Sequence, residues 1–317
     1  MLPPPLNSRL QSLSACARQV VWNDKKKTGF TLVELSIVLV IIGLIVGGVL
    51  VGRDLINAAK LRAVLIDIEK FNAAANTFRT KYNCLPGDCL NATDYFGTFA
   101  SCGAYSVDSP NLSNSTCNGD GNGRVLFINP SDPHPPPANY YMFDETIQFW
   151  QQLSLAGLIK GKYSGFTLAG GGGIDPGVNA PQSSLENGCY SINYSNLDPV
   201  LAAQFLPTSP MYSNVITIGN STSENGTGTL LSTCTEGLYS LPAISAQNLD
   251  SKIDDGKPTI GNVQTSISRY NGGWNYSGRA IPGCTNEDGS IPYPSASVTY
   301  HTSATTTACQ LFFKVAF

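Results

Sequence analysis

The chain has few of the residues on which catalytic and metal-binding proteins depend. Charged residues make up 13% of its 317 residues, and its only two histidines, His134 and His301, are far apart in the sequence. No Cys-x-x-Cys pair occurs, so a zinc site or a redox dithiol lacks its usual ligands. A Ser-His-Asp triad would depend on one isolated histidine. We therefore expect that the protein is not an enzyme.

Positive charge is also scarce outside the N-terminal region. Beyond residue 82 the chain has eight Lys and Arg against 17 Asp and Glu. Nonspecific binding to nucleic acid needs a basic surface that displaces counterions from phosphates. The glycines at 170–173 lack the lysine and the Ser or Thr of a phosphate-binding loop. The bulk charge therefore predicts no nucleic-acid partner.

Proline is absent from residues 30–85, and the first part of that stretch is almost free of charge. Glu34 is the only charged residue within residues 30–52. A helix of that length crosses a bilayer, because about 20 apolar residues match the hydrocarbon thickness. The basic residues Lys25, Lys26 and Lys27 precede it, and such clusters stay in the cytoplasm. The sequence therefore predicts a single-pass anchor, with everything after Gly52 across the membrane.

The start of this anchor, Gly29-Phe30-Thr31-Leu32-Val33-Glu34, resembles the processing signal of type IV pilins and pseudopilins, the subunits of pili and of secretion pseudopili. The resemblance implies that a prepilin peptidase cuts between Gly29 and Phe30 and methylates the new N-terminus at Phe30. It also implies that Glu34 pairs with the Phe30 ammonium of a neighbouring subunit during assembly, and ionisable residues inside apolar spans are functional by default. The alternative is that Glu34 merely lies at the headgroup boundary.

A second type of anchor is suggested by Leu13-Ser14-Ala15-Cys16, which matches the lipoprotein processing box. Residues 1–12 contain no apolar region that would present this box to a signal peptidase. We therefore favour a cleaved leader over residues 1–29, a long helix over 30–82 that spans the membrane over 30–52, and an extracytoplasmic α+β domain over 83–317.

Eight of the nine cysteines follow the predicted leader. An even number in a domain outside the cytoplasm predicts four disulfides, formed in an oxidising compartment. Sequence leaves their connectivity open. Pairing of neighbours is our working assignment: Cys84 with Cys89, Cys102 with Cys117, Cys189 with Cys234, and Cys284 with Cys309.

Apolar residues at steps of three and four continue the long helix to about Tyr82, where Leu85-Pro86-Gly87-Asp88 ends it. Further helices are predicted over 143–156 and 245–253. Alternating patterns predict strands over 189–194, 214–218, 295–300 and 311–317. These elements indicate an α+β fold of the pilin-like type: a mostly antiparallel, disulfide-rich β domain packed against the exposed half of the long helix.

The sequence Asn118-Gly119-Asp120-Gly121-Asn122-Gly123 has oxygen-bearing side chains at alternate positions before a glycine, as in the first half of a calcium loop. Asn118, Asp120 and Asn122 are the predicted ligands. The twelfth position, Asn129, lacks the usual glutamate. A plain Asn-Gly turn tied by Cys117 therefore remains the alternative to a calcium cofactor.

These features predict a structural subunit, a minor pilin or pseudopilin of a type IV pilus or a type II secretion filament. Its partners would be other pilin-like subunits through the N-terminal helix, the prepilin peptidase and the bacterial inner membrane, with the C-terminal domain in the periplasm before assembly. The 235 residues after residue 82 exceed what a compact major pilin needs. The alternative function is a membrane-tethered extracytoplasmic binding module that does not polymerise.

Overall fold

The computed structural model describes residues 29–98, 115–126, 145–165, 174–185, 188–194, 213–220, 241–265, 284–286, 297–303 and 307–317. The chain divides into two compact units, Met1–Arg53 and Asp54–Phe317. Helices and an antiparallel sheet occur together in the second unit. The predicted α+β class is therefore confirmed.

Helix α1 (Leu32–Tyr82) contributes residues to both units. In the first unit its large apolar side chains are exposed. In the second unit it buries one face at the period of an amphipathic helix, through Leu61, Val64, Ile68, Phe71, Ala74, Ala75 and Phe78. The helix ends at Tyr82 because Asn83 adopts a left-handed conformation, with φ at 56°, and its N–H bonds to the Arg79 carbonyl.

Three shorter helices and six strands lie among the described residues. The helices are α2 (Ala92–Phe96), α3 (Glu145–Leu155) and α4 (Ala243–Ile253). The strands are β1 (Gly188–Tyr194), β2 (Asn214–Asn220), β3 (Leu241–Pro242), β4 (Val263–Thr265), β5 (Thr307–Cys309) and β6 (Leu311–Lys314). Four of them form an antiparallel sheet in the order β1-β2-β6-β4, and β3 pairs with β5.

The core of the second unit lies between the buried face of α1, helix α3 and one face of the four-stranded sheet. The Phe71 ring on α1 contacts the rings of Trp150 on α3 and Tyr190 on β1, with centroids 4.9 and 5.0 Å apart. The paired residues Ile192 on β1 and Ile216 on β2 are fully buried there. Tyr190 and Ile218, each two residues along the same strand and therefore on the same face, are fully buried with them.

Disulfide bonds join Cys84 to Cys89 and Cys284 to Cys309. Both are pairs of the neighbour assignment. Cys117 and Cys189 are also disulfide-bonded, and their predicted partners, Cys102 and Cys234, lie outside the described residues.

One predicted strand, 295–300, is wrong over its described part. Residues 297–299 form no strand, and Tyr300 makes only an isolated bridge to Thr285. This segment instead pairs with the short loop around the Cys284–Cys309 disulfide, through the Asn286 N–H to the Thr299 carbonyl and the His301 N–H to the Cys284 carbonyl. Helix α2 and strands β3, β4 and β5 are additions that the sequence did not predict.

Candidate functional site

The N-terminal signal forms a hydrogen-bonded cap at the start of α1. The Thr31 N–H and hydroxyl both donate to one carboxylate oxygen of Glu34, at 2.8 and 2.9 Å, and the Glu34 N–H donates to the Thr31 hydroxyl at 3.2 Å. This reciprocal arrangement is a capping box, which satisfies backbone groups that a helix start otherwise leaves free. The Glu34 side chain therefore points back to the start of the helix, while Gly29 and Phe30 are exposed.

Helix α1 is long and apolar enough to cross a membrane, and none of its most apolar 18-residue window is buried inside the protein. Its exposed side chains include Leu44, which is 77% exposed, and Val40, which is 68% exposed. A soluble core helix would bury such residues. The exposed apolar surface therefore indicates membrane anchoring.

In the second unit, residues 118–126, termed here the glycine loop, form no helix or strand but have all backbone N–H groups from 119 to 126 hydrogen-bonded. The donors and acceptors are Gly119 to Cys89 O, Asp120 to Glu145 Oε1, Gly121 to Asp88 O, Asn122 to Asp88 Oδ1, Gly123 to Asp88 Oδ2, Arg124 to Asn122 Oδ1, Val125 to Asn214 Oδ1 and Leu126 to Glu145 Oε2. Asp88 and Glu145 thus hold the loop in place.

Three carboxylates meet at this loop. Asp88, Asp120 and Glu145, termed here the carboxylate cluster, each offer one oxygen, and these oxygens lie within 4.8 Å of one another. Asp88 and Glu145 are only 3% and 6% exposed. Burial raises the pKa of Glu145 to about 8, to which repulsion from Asp120 and Asp88 adds, and burial raises the pKa of Asp88 to about 6. Such a group can take up a proton, or could hold a hard cation such as calcium.

Two of the three predicted calcium ligands are in contact, because the Asn122 side-chain amide donates to Asp120 Oδ2 at 2.6 Å. The Asn118 side-chain oxygen accepts the Thr93 N–H at 2.9 Å, and the Asn122 oxygen accepts the Arg124 N–H at 2.8 Å. Asp120 is the one predicted ligand that is a carboxylate, and it belongs to the carboxylate cluster. Asp88 and Glu145 were not predicted, because they lie far from the glycine loop in sequence and carry no spacing signal of their own.

Another carboxylate, Asp250 on α4, is fully buried against Tyr300. Its oxygens accept the Tyr300 hydroxyl at 2.9 Å and the Gly256 N–H at 3.2 Å. Burial raises the pKa of Asp250 to about 7 and raises the pKa of Tyr300 as well. The neighbouring Asp254 accepts the N–H groups of Asn262 and Val263. These contacts give Asp250 and Asp254 structural roles in the turn after α4.

An exposed apolar helix that begins with the Thr31–Glu34 capping box, followed by a disulfide-bonded α+β unit, indicates a membrane-anchored protein. Residues 24–50 match the family model described as Prokaryotic N-terminal methylation motif. The chain therefore carries the kind of prepilin signal found in type IV pilins and pseudopilins, and this signal supports a precursor of that kind. Proteins of this kind are structural, and the signal implies a prepilin peptidase and other pilin subunits as partners. Comparison with curated proteins and with solved structures found no match.

Proposed function

We propose that the protein is a minor pilin or pseudopilin that is cut between Gly29 and Phe30, methylated at Phe30, and assembled into a type IV pilus or a type II secretion filament. The match of residues 24–50 to the methylation motif carries this proposal. The exposed bond after Gly29 and the uncovered apolar surface of α1 support it. The domain after residue 82 lies in the periplasm before assembly.

Assembly in this proposal is lateral. Apolar faces of α1 leave lipid for one another, and Gly43, Gly47 and Gly48 have open space around them that permits close approach of a second helix. The Glu34 carboxylate, which is held at the start of its own helix, pairs with the Phe30 ammonium of a neighbouring subunit. The second unit is then displayed on the filament surface.

The experiment compares the wild-type protein with Glu34→Gln and with a matched control, Asp54→Asn, an acidic residue of α1 beyond the apolar span. We expect intact-mass analysis to show that all three lose residues 1–29 and gain a methyl group. Sheared filaments should contain wild-type and control protein, and at least about tenfold less Glu34→Gln, because an ion pair loses one partner.

An unprocessed N-terminus in cells that contain the peptidase would contradict the proposal. It would favour the alternative, a membrane-tethered binding module that does not polymerise. Processed protein that assembles equally well with Glu34→Gln would contradict only the role of Glu34.

Calcium binding is a second proposal, and the carboxylate cluster is the observation that favours it. In this proposal Asp88, Asp120 and Glu145 supply oxygen ligands, which replace Asn118 and Asn122 in the set that the sequence indicates. Burial chiefly raises the pKa of Glu145, and repulsion from Asp120 and Asp88 adds to it; a cation at the cluster would offset both.

The calcium proposal predicts that millimolar calcium raises the unfolding temperature of the wild-type protein, and that a chelator reverses the shift. The stabilisation is about 2.7 kcal/mol at a hundredfold excess over Kd. Asp120→Asn should abolish most of the shift, whereas Asp94→Asn, an exposed acidic residue of α2, should retain it. An unchanged unfolding temperature in calcium would overturn the proposal.

A further inference from the structure

The segment that leads out of α1 is closed by a disulfide and is almost completely buried. Residues 84–89, termed here the cysteine loop, are bounded by the Cys84–Cys89 bond, and residues 85–89 are buried. Gly87 adopts φ of 83°, and its N–H donates to the side chain of Gln152 on α3 at 2.8 Å. The short covalent ring and this contact fix the direction in which Asp88 points.

Four of the acceptors that hold the glycine loop belong to two residues of the cysteine loop. The two Asp88 carboxylate oxygens accept the Asn122 and Gly123 N–H groups at 2.9 and 2.8 Å. The Asp88 and Cys89 carbonyls accept the Gly121 and Gly119 N–H groups at 3.0 and 2.9 Å. The Asn122 N–H also donates to Asp120 Oδ1 at 3.0 Å. For Gly119, Gly121 and Gly123, no helix or strand ladder replaces these acceptors if the cysteine loop changes shape.

The two loops also approach too closely for larger residues. A Cβ atom at Gly119 would overlap the Gly87 carbonyl oxygen and the Cα of Asp88. The glycine loop is therefore shaped to one conformation of the cysteine loop, and a chain without the disulfide has many more conformations available there.

We propose that the Cys84–Cys89 disulfide is a redox switch for the glycine loop. Oxidation of the two thiols by a dithiol-disulfide oxidant of the compartment removes two electrons and two protons, forms the sulfur–sulfur bond and positions Asp88 and Cys89 as acceptors. Reduction by a dithiol returns the two electrons and two protons to the thiols and releases the glycine loop. The surface of the second unit thereby acquires its final form only after oxidation.

Hydrogen exchange on the full chain in detergent tests this proposal. In Cys84→Ser/Cys89→Ser, the amides of Gly119, Gly121 and Gly123 should exchange at least about tenfold faster than in the wild type, because their acceptors belong to Asp88 and Cys89. The Asp120 amide, which donates to Glu145, should stay protected. The matched control, Cys284→Ser/Cys309→Ser, removes the Cys284–Cys309 disulfide and should leave these amides protected. Protection of strands β1 and β2 reports whether each variant is folded.

Two further experiments measure the exchange of the same amides, one with the disulfide intact and one during its gradual reduction. Asp88→Asn should accelerate exchange at Gly123, whose N–H donates to Asp88 Oδ2, with the Cys84–Cys89 bond intact. In the wild-type protein under partial reduction by a dithiol, faster exchange of the glycine loop should track alkylation of Cys84 and Cys89. Unchanged protection in Cys84→Ser/Cys89→Ser, or acceleration that tracks Cys284 and Cys309 instead, would overturn the proposal.

Discussion

Asp250 shows how a single buried carboxylate couples stability to pH. It has no exposed surface, and its hydrogen bonds come from the Tyr300 hydroxyl and the Gly256 N–H. Its pKa rises from the ordinary value of 3.8 to about 7, chiefly through burial. The folded protein therefore keeps a proton that the unfolded chain has already released between about pH 4 and pH 7.

Proton linkage determines whether Asp250 raises or lowers the free energy of unfolding as pH changes. A state that binds more protons is favoured at low pH, so the contribution of Asp250 to the free energy of unfolding falls as pH rises from about 4 to 7. Asp250→Asn does not titrate and lacks this fall. We expect the stability difference between wild type and Asp250→Asn, measured by urea unfolding at several pH values, to shift against the wild type across that window. Parallel curves would contradict this role.

At the scale of elements, the contact between the cysteine loop and the glycine loop depends on Gly119. Its substitution by alanine should reduce the free energy of unfolding by about 2–3 kcal/mol, because the new methyl group overlaps backbone atoms of Gly87 and Asp88. Gly123→Ala is the comparison, since Gly123 has φ of 82° but open space around it. It should cost about 1 kcal/mol. Equal losses in urea titrations would count against a steric role for Gly119.

The elements that could be predicted from the sequence are those with several periods of a repeating pattern. Helix α1 and strands β1, β2 and β6 are long enough to show a helical or alternating spacing. Strands β3, β4 and β5 contain two or three residues each, too few to establish a period. The sequence alternates over 295–300, but in its described part, residues 297–300, the segment pairs with a loop and not with a sheet edge.

The candidate sites also differ in whether a local sequence pattern reveals them. The signal at Gly29, Phe30 and Glu34 is local, so the sequence alone points to it. The carboxylate cluster is assembled by tertiary structure from three separate segments, and only Asp120 was accessible to a spacing argument. Asparagine side chains bond readily to nearby backbone, which explains why the Asn122 oxygen accepts the Arg124 N–H. The Asn118 oxygen accepts the Thr93 N–H, a contact that tertiary structure makes and the sequence does not reveal.

At the scale of the whole molecule, the second unit includes the buried face of α1 in its core. A chain of residues 54–317 should fold and remain soluble without detergent. A chain of residues 83–317 should not fold, because it lacks Leu61, Ile68, Phe71 and Phe78, each of which contributes about 1.5–3 kcal/mol, against a typical net stability of only about 5–15 kcal/mol. Circular dichroism and size-exclusion chromatography compare the two, and a folded 83–317 chain would refute this dependence.

The hydrogen bonding of the glycine loop predicts that this segment resists proteolysis outside the cytoplasm. Glycine- and asparagine-rich surface segments are ordinarily where peptidases nick a chain, because the backbone there can be drawn into an enzyme cleft as an extended strand. Here every N–H from 119 to 126 already has an acceptor within the molecule. A protease must break these hydrogen bonds before it can bind the segment in an extended conformation. A region whose composition suggests susceptibility to cleavage is therefore protected by its hydrogen bonds.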